Sequence, residues 1–278
     1  MDDRKTKADA FRAMHRAPDI LLLPNIWDVA SARIFEEAGF PALATTSAGI
    51  AFALGYPDGQ RIKREEMLSA VARITANVRI PVTADVEAGY GDTPEDAELT
   101  AAGVIQAGAV GMNFEDATDD PDHPLIELPQ QLERIRSIRE AADAIGVPLV
   151  LNARTDVYLA AVGAPEKRYD EALRRAIAYR DAGADCIFIP GVKDSALISR
   201  FVRDLKYPIN VLAVPGSPTV PELQKLGVAR ISVGSGPIRA TMSLLRSMAD
   251  ELRTAGTYHA MESAIPHTEM NRLMDRKA

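Results

Sequence analysis

One phrase recurs along this chain and restricts what it can fold into. An amphipathic helix ends in a small residue and glycine, and a short β-rich run follows at once. The copies read EEAGFPALATT, IQAGAVGMNFED, RDAGADCIFIPG and QKLGVARISVG. Glycine in the left-handed position ends a helix, so each copy is the αβ half of a βα unit. TANVRIPVTADVE and DAIGVPLVLNARTD have the same form. The apolar runs predict eight strands, near 20–24, 42–46, 81–86, 109–115, 148–154, 186–190, 209–213 and 230–234. Helical patterns separate them, near 28–38, 61–76, 94–107, 129–145, 168–182, 194–205, 219–227 and 237–254. Eight strand–helix pairs favour a closed parallel (β/α)₈ TIM barrel over an open doubly wound sheet. The 278 residues suit one such barrel, and no linker-like stretch marks a second domain. The expectation is a single α/β domain over 1–278, with a helical lead-in at 1–18 and a polar tail at 256–278.

Composition narrows the function classes. Hydrophobic residues make up 47% and charged residues 26%, which is globular rather than disordered. No apolar run approaches the ~18 residues of a membrane span, and the opening MDDRKTKADAFRAMHR lacks a signal peptide's apolar core. The net charge is −7 with no block of Lys or Arg, which argues against nucleic acid as a partner. The single cysteine, Cys186, leaves no disulfide framework and suits a reducing cytoplasm. A cytoplasmic protein with a small-molecule partner, and neither nucleic acid nor membrane, is expected.

Catalytic groups of a barrel sit at the C-terminal ends of strands, and side-chain alternation tests for them. On the third predicted strand Thr83, Asp85 and Glu87 share one face, opposite Val82, Ala84 and Val86. On the fourth, Asn113 and Glu115 oppose Met112 and Phe114; on the fifth, Asn152 and Arg154 oppose Leu151 and Ala153. Three consecutive strands thus turn polar groups to the axis, late in each strand. Any one of these carboxylates could instead cap a helix or pair with an arginine. Three converging carboxylates repel one another unless a proton, an arginine or a metal compensates. No Cys or His accompanies them, so all-oxygen ligands favour Mg²⁺ or Mn²⁺ over zinc.

The stretches TTSAGIAFALGYPDG, PVTADVEAGYG, GAVGMNFEDA and LNARTD, in this order and spacing, resemble the isocitrate lyase/phosphoenolpyruvate mutase superfamily over about residues 15–255. The resemblance implies a (β/α)₈ barrel that binds Mg²⁺ and handles a pyruvate-like enolate. It implies a homotetramer, or at least a homodimer, with the last helix swapped between subunits. It makes Asp85 the main metal ligand, with Glu87 and Glu115 holding metal-bound waters and Asp58 of LGYPDG near that metal. Ser47, Ala48 and Gly49 resemble the turn whose backbone N–H groups receive the substrate's carboxylate or oxyanion. Arg154 resembles the arginine that pairs with the substrate and stabilises developing negative charge. Asn113 joins the substrate-binding set, and Tyr90, between two glycines, is a candidate to close over the ligand.

Two features depart from that pattern. The metal motif reads Asp-Val-Glu where much of the family has Asp-x-Asp. The loop at 117–129, ATDDPDHPLIELP, has no Cys, Lys or Arg, whereas isocitrate- and methylisocitrate-cleaving members carry a cysteine there as acid or base. Phosphonate-active members carry basic residues in it. Cys186 reads as a small core residue, His123 as an exposed loop histidine, and Lys193 as a Schiff-base candidate disfavoured by neighbouring Asp194. The leading expectation is a Mg²⁺-dependent lyase or decarboxylase breaking a C–C bond to C3 of a 2-oxo- or 2-hydroxy-dicarboxylate. P–C bond chemistry, as in a phosphonopyruvate hydrolase or phosphoenolpyruvate mutase, is the runner-up. A barrel that binds a 2-oxo-acid without turning it over is the third reading.

Overall fold

The protein's structure, a computed structural model, describes residues 3–275. The first two residues of the expected lead-in and the last three of the expected tail lie outside them. The lead-in forms α1 (Asp3–Met14), which buries Ala8 and Phe11. The first expected strand is divided. Pro24, which has no N–H to give a ladder, separates β1 (Leu21–Leu23) from β2 (Asn25–Ile26). Next come α2 (Val29–Glu37), β3 (Leu43–Thr45), α3 (Ser47–Ala53) and α4 (Arg64–Thr75). The middle of the chain gives β4 (Val82–Asp85), α5 (Pro94–Gln106), β5 (Gly111–Glu115) and α6 (Leu128–Ile145). It continues through β6 (Val150–Arg154), α7 (Arg168–Asp181), β7 (Cys186–Phe188) and α8 (Ser195–Leu205). The last elements are β8 (Ile209–Leu212), α9 (Val220–Lys225), β9 (Arg230–Ser232), α10 (Gly236–Thr254) and α11 (His267–Met274).

Every strand pairing is parallel, in the order β1-β9-β8-β7-β6-β5-β4-β3-β2. The two end strands are the halves of one segment on either side of Pro24, so the sheet wraps round on itself as the expected (β/α)₈ barrel. The recurring glycine does what the sequence predicts: Gly108 and Gly183 follow α5 and α7 with φ of 85° and 110°, where a side chain would be strained. Aliphatic and alanine side chains fill the space between sheet and helices, among them Val82, Ala84, Met112, Leu151, Ala153 and Ile187. Their alternation turns Asp85, Asn113, Glu115, Asn152 and Arg154 the other way, toward the axis.

Two helices were not expected. The small residues of SAGI read as a turn, yet Thr46 accepts from Gly49 N–H and starts α3. At the other end, the tail finds a partner in its own chain. Leu273 of α11 is buried, and Arg33 of α2 donates to the carbonyls of Leu273 and Met274. α10 is different: of its 19 residues only Ile238 is buried.

Candidate active site

The strand ends of β3 to β6 bring the expected polar residues together. Asp85 is held on three sides. Its Oδ2 accepts from Ser47 N–H at 3.1 Å and from Ser47 Oγ at 2.8 Å, its Oδ1 from Asn113 Nδ2 at 3.3 Å. The first N–H of the TTSAGI turn is therefore spent on Asp85. Ala48 and Gly49 follow it in the first turn of α3, both buried. Asn113, opposite Asp85 in register, accepts in turn from Asn152 Nδ2, so one chain of amides crosses three strands.

Glu87 lies two residues beyond Asp85 in left-handed backbone, φ 50°, and is buried. Its Oε2 accepts from Gln60 N–H at 2.5 Å, while Oε1 is shielded from solvent with no hydrogen-bond partner. Burial first, then the charges of Asp85 and Asp58, push its carboxyl up to about 7. Asp58, in the loop before Gln60, is raised by partial burial and by Asp85.

Arg154, between Glu115 and Asp156, is the counter-charge of the site. Arg154 Nη1 is 2.5 Å from Glu115 Oε2, and Asp156 takes Arg154 Nε at 2.6 Å and Nη2 at 2.7 Å. Burial works against the guanidinium's charge, but Glu115 and Asp156 outweigh it and raise its pKa above the ordinary value. Burial raises the Glu115 carboxyl and Arg154 opposes the shift. Three of the arginine's five N–H groups are engaged this way, which leaves two for an anionic ligand. Asp156 is itself fixed from below: its N–H donates to buried Asp116, which also accepts from Tyr179 and Arg175.

Tyr90, φ 59°, stands at the end of the turn that begins at Glu87. Its N–H donates to Gln60 Oε1 at 2.7 Å and its carbonyl accepts from Arg64. Its hydroxyl oxygen is shielded and has no partner. Burial first, then Glu87, Asp85, Glu115 and Asp58, raise that phenol far above its ordinary pKa.

These groups suit a hard divalent cation. Asp58, Asp85, Glu87, Glu115 and Asp156 bear on one another with Arg154 as the counter-charge, and one oxygen of Glu87 lacks a donor. Among the described residues no three acidic, His or Cys side chains converge as joint direct ligands. The donors present are all oxygens, the type Mg²⁺ accepts, and Mg²⁺ keeps several waters and is bound through one or two carboxylates.

The other sequence candidates lie apart from this centre. Cys186 is fully buried, and burial pushes its thiol up to about 12. His123 is exposed and pairs with Asp120 at 3.1 Å. Lys193 is exposed after β7. The structure adds residues the sequence reading passed over. Asp156 sits two residues after Arg154, on the same face, a signal that was available. Gln60, Arg64 and Asp116 act through backbone groups and gave no pattern to find.

A family model, phosphoenolpyruvate phosphomutase, matches residues 11–253. The 2-methylisocitrate lyase of Escherichia coli K12 is 28% identical, covering 89% of this chain and 85% of its own. A structure from Burkholderia cenocepacia J2315, described as a lyase/mutase, is 39% identical, covers 99% of this chain and 98% of its own, and has a TM-score of 0.93. Phosphonopyruvate hydrolase in complex with oxalate and Mg²⁺ covers 96% of this chain and 94% of its own at 25% identity, TM-score 0.85. Oxaloacetate decarboxylase and phosphoenolpyruvate phosphomutase are further names among the relatives.

Proposed function

From the premise that this chain belongs to the isocitrate lyase/phosphoenolpyruvate mutase superfamily, we propose that it is a Mg²⁺-dependent lyase or decarboxylase of a small 2-oxo-dicarboxylate, of the oxaloacetate type. The observation that carries this is Arg154, braced by Glu115 and Asp156 with two N–H groups to spare, beside an acidic cluster in excess of its counter-charge.

Asp85 would hold the cation, with Glu87 and Glu115 behind it and Asp58 at the mouth. Mg²⁺ (or Mn²⁺), when bound, supplies Lewis-acid stabilisation of negative charge that develops on the 2-oxo-acid oxygens. The chain's own groups do the rest. Arg154 binds and orients the substrate's carboxylate end, because a charge-assisted guanidinium pair fixes direction as well as energy. With the carboxylate to be lost held out of the plane of the carbonyl, the C3–C4 bond breaks and CO₂ leaves. The electron pair passes into the C2 carbonyl as an enolate. With Ser47 N–H given to Asp85 and Gly49 N–H to Thr46, the Ala48 N–H of that turn and Arg154 face that charge; one such donor is typically worth ~3 kcal/mol. Asn113 and Asn152 keep Asp85 aimed, and Tyr90 covers the site from the β4 turn.

P–C bond chemistry fits less well. A phosphonate adds charge that needs cations, and the loop at 117–129 supplies none; Arg61 beside it is 3.5 Å from Asp119. The test is Mg²⁺-dependent pyruvate release, coupled to lactate dehydrogenase and corrected for spontaneous and metal-only decarboxylation. Turnover of oxaloacetate or a close analogue is expected. Silence across a panel of 2-oxo- and 2-hydroxy-dicarboxylates, with oxalate still bound, would leave binding without turnover as the site's role.

A further inference from the structure

The turn after β4 holds an aromatic residue where the backbone resists one. Glu87, Gly89 and Tyr90 all have positive φ, 50°, 89° and 59°. A bulky residue in that region costs on the order of 1–3 kcal/mol and persists only where its surroundings over-determine it. Here they do. Arg134, fully buried, donates to the carbonyls of Ala88 and Gly91; Thr100 donates to Gly89 and Arg64 to Tyr90. Four successive carbonyls are thus fixed by side chains from α4, α5 and α6, and Gln60 fixes the Tyr90 N–H.

What this bracing delivers is a hydroxyl. The Tyr90 oxygen is shielded from solvent without a partner, and the charges that bear on it are Glu87, Asp85, Glu115 and Asp58. A buried hydroxyl left unpaired costs about 1–3 kcal/mol, so both the backbone and the phenol are held against local preference at one point. Of the neighbouring groups, Glu87 keeps one oxygen without a donor but is assigned above to the cation, and the others are committed. Asp85 accepts from Ser47 and Asn113, Glu115 is paired to Arg154, and the loop at 117–129 brings no thiol.

We propose that Tyr90 is the catalytic acid of this site, its hydroxyl delivering the proton that turns the enolate into the 2-oxo-acid product. This rests on the enolate reading above. The O–H bond of Tyr90 breaks and a C–H bond forms at C3. The enolate's electron pair moves to C3 as the C2 oxygen becomes a carbonyl again, and the phenolate takes a proton from water after product leaves. A single donor on a braced turn protonates one face of the planar enolate.

Stereochemistry reads this directly. With 3-methyloxaloacetate and Mg²⁺ in D₂O, the product 2-oxobutyrate carries one deuterium at C3, and immediate reduction by lactate dehydrogenase fixes its configuration for NMR. The wild type is expected to give one C3 configuration. Tyr90→Phe, which keeps the ring and the β-carbon, is expected to give both equally and to lose on the order of 10²-fold in rate. Its oxalate affinity should stay within about 3-fold, which shows an intact site. An equal mixture from the wild type, or an unchanged single configuration from Tyr90→Phe, overturns the proposal and leaves the decarboxylase reading standing. No enzyme-dependent product from the wild type overturns both. Should Tyr90→Phe fold poorly, Tyr90→Leu takes its place and its product configuration is read in the same way.

Discussion

Glu115 and Arg154 stand opposite one another on adjacent strands β5 and β6, with Arg154 Nη1 2.5 Å from Glu115 Oε2. Strand register makes the pair: both side chains point to the axis because both sit at the same phase of the alternation. Asp156 grips the same guanidinium from the other side. An arginine so placed is expensive to remove, because it leaves two buried carboxylates facing each other.

Arg154→Met should therefore destabilise the fold by about 3–5 kcal/mol, the usual cost of orphaning a buried charge. Arg154→Lys should keep the fold but weaken oxalate binding by roughly 10–100-fold, since a lysine cannot serve two carboxylates and a ligand from one plane. Urea melts and calorimetric titration check both. Unchanged oxalate affinity in the lysine variant would remove Arg154 from the ligand site.

The acidic cluster makes opposite predictions for metal and for stability. Calorimetry with oxalate present should show a single Mg²⁺ site, lost in Asp85→Ala. Glu87→Gln should raise the melting temperature of the metal-free protein, because it removes one of several like charges. A gain of about 1 kcal/mol corresponds to roughly 2–4 °C at this size. A metal-free Glu87→Gln protein that melts lower than wild type would mean that Glu87 is compensated in a way the geometry does not provide.

A second titrating group lies at the opposite end of the barrel. His15 is buried, its Nδ1 2.8 Å from the Phe11 carbonyl and its Nε2 3.4 Å from Arg230. Burial, then Arg230, lowers its pKa from 6.5 to about 4. The folded protein holds the ring neutral while the unfolded chain protonates it, so stability is full above pH 6.5 and falls as pH drops toward 4. The loss approaches about 3 kcal/mol, with about 2 kcal/mol of it in place at pH 5. Urea melts at pH 7 and pH 5 should show this difference shrinking in His15→Gln. Equal slopes in the two proteins would show that His15 does not drive it.

Much of the site was legible because its residues sit on strands. Period-two alternation decides which side chains face the axis, and the polar set at 83–85, 113–115 and 152–154 has no other reason to share one phase; Glu87 lies past the end of β4 and reaches the site through its left-handed turn instead. The fold was legible through its glycine-terminated helices, because the left-handed cap that ends a helix demands glycine locally. What escaped notice depends on contacts distant in sequence. Pro24 has no N–H to give, but what makes its position count is that its flanks have different partners, β9 on one side and β3 on the other. Arg64, Arg134 and Gln60 matter for which carbonyl or N–H they meet, and no periodicity records that. α3 was hidden by composition, since SAGI has the residues of a turn and becomes helical only because Thr46 caps it.

The face of α10 carries a prediction about assembly. Its stripe of Met242, Leu245 and Leu252 is solvent-exposed, as is Leu244 beside it, and the helix buries only Ile238. Family resemblance gives that face a use: exchange between subunits of a dimer or tetramer. Light scattering at micromolar concentration should show an oligomer, and Leu245→Glu should lower the assembly state while leaving the barrel folded. A stable wild-type monomer would refute exchange through α10.

Specificity rests on the loop at 117–129. The relatives include a 2-methylisocitrate lyase, and cleaving its substrate requires a proton taken from a hydroxyl and another given to carbon. Proton transfer by a positioned group is worth ~10²–10⁴-fold, and the family's loop cysteine is the group that resemblance would have placed here. In its place this loop offers Asp119, Asp120, Asp122 and His123. The histidine is turned to solvent on Asp120, and Asp119 reaches Arg61, so that cation is already paired, as is Arg175, which holds the Ile126 carbonyl and Asp116. A tricarboxylate entering here would meet carboxylates and find little beyond Arg154 to balance it. Oxaloacetate asks for less: its carbonyl needs no deprotonation, and losing CO₂ leaves the enolate at once. Negligible cleavage of isocitrate and 2-methylisocitrate is expected beside measurable Mg²⁺-dependent turnover of oxaloacetate or a close analogue, in one coupled assay at matched concentrations. Replacing Asp119 and Asp120 with Asn should lower KM for dicarboxylates without creating tricarboxylate cleavage, because it removes repulsion and supplies no proton donor. Robust methylisocitrate turnover by the wild type would sink the argument, since it would place a working acid–base pair where the loop provides none.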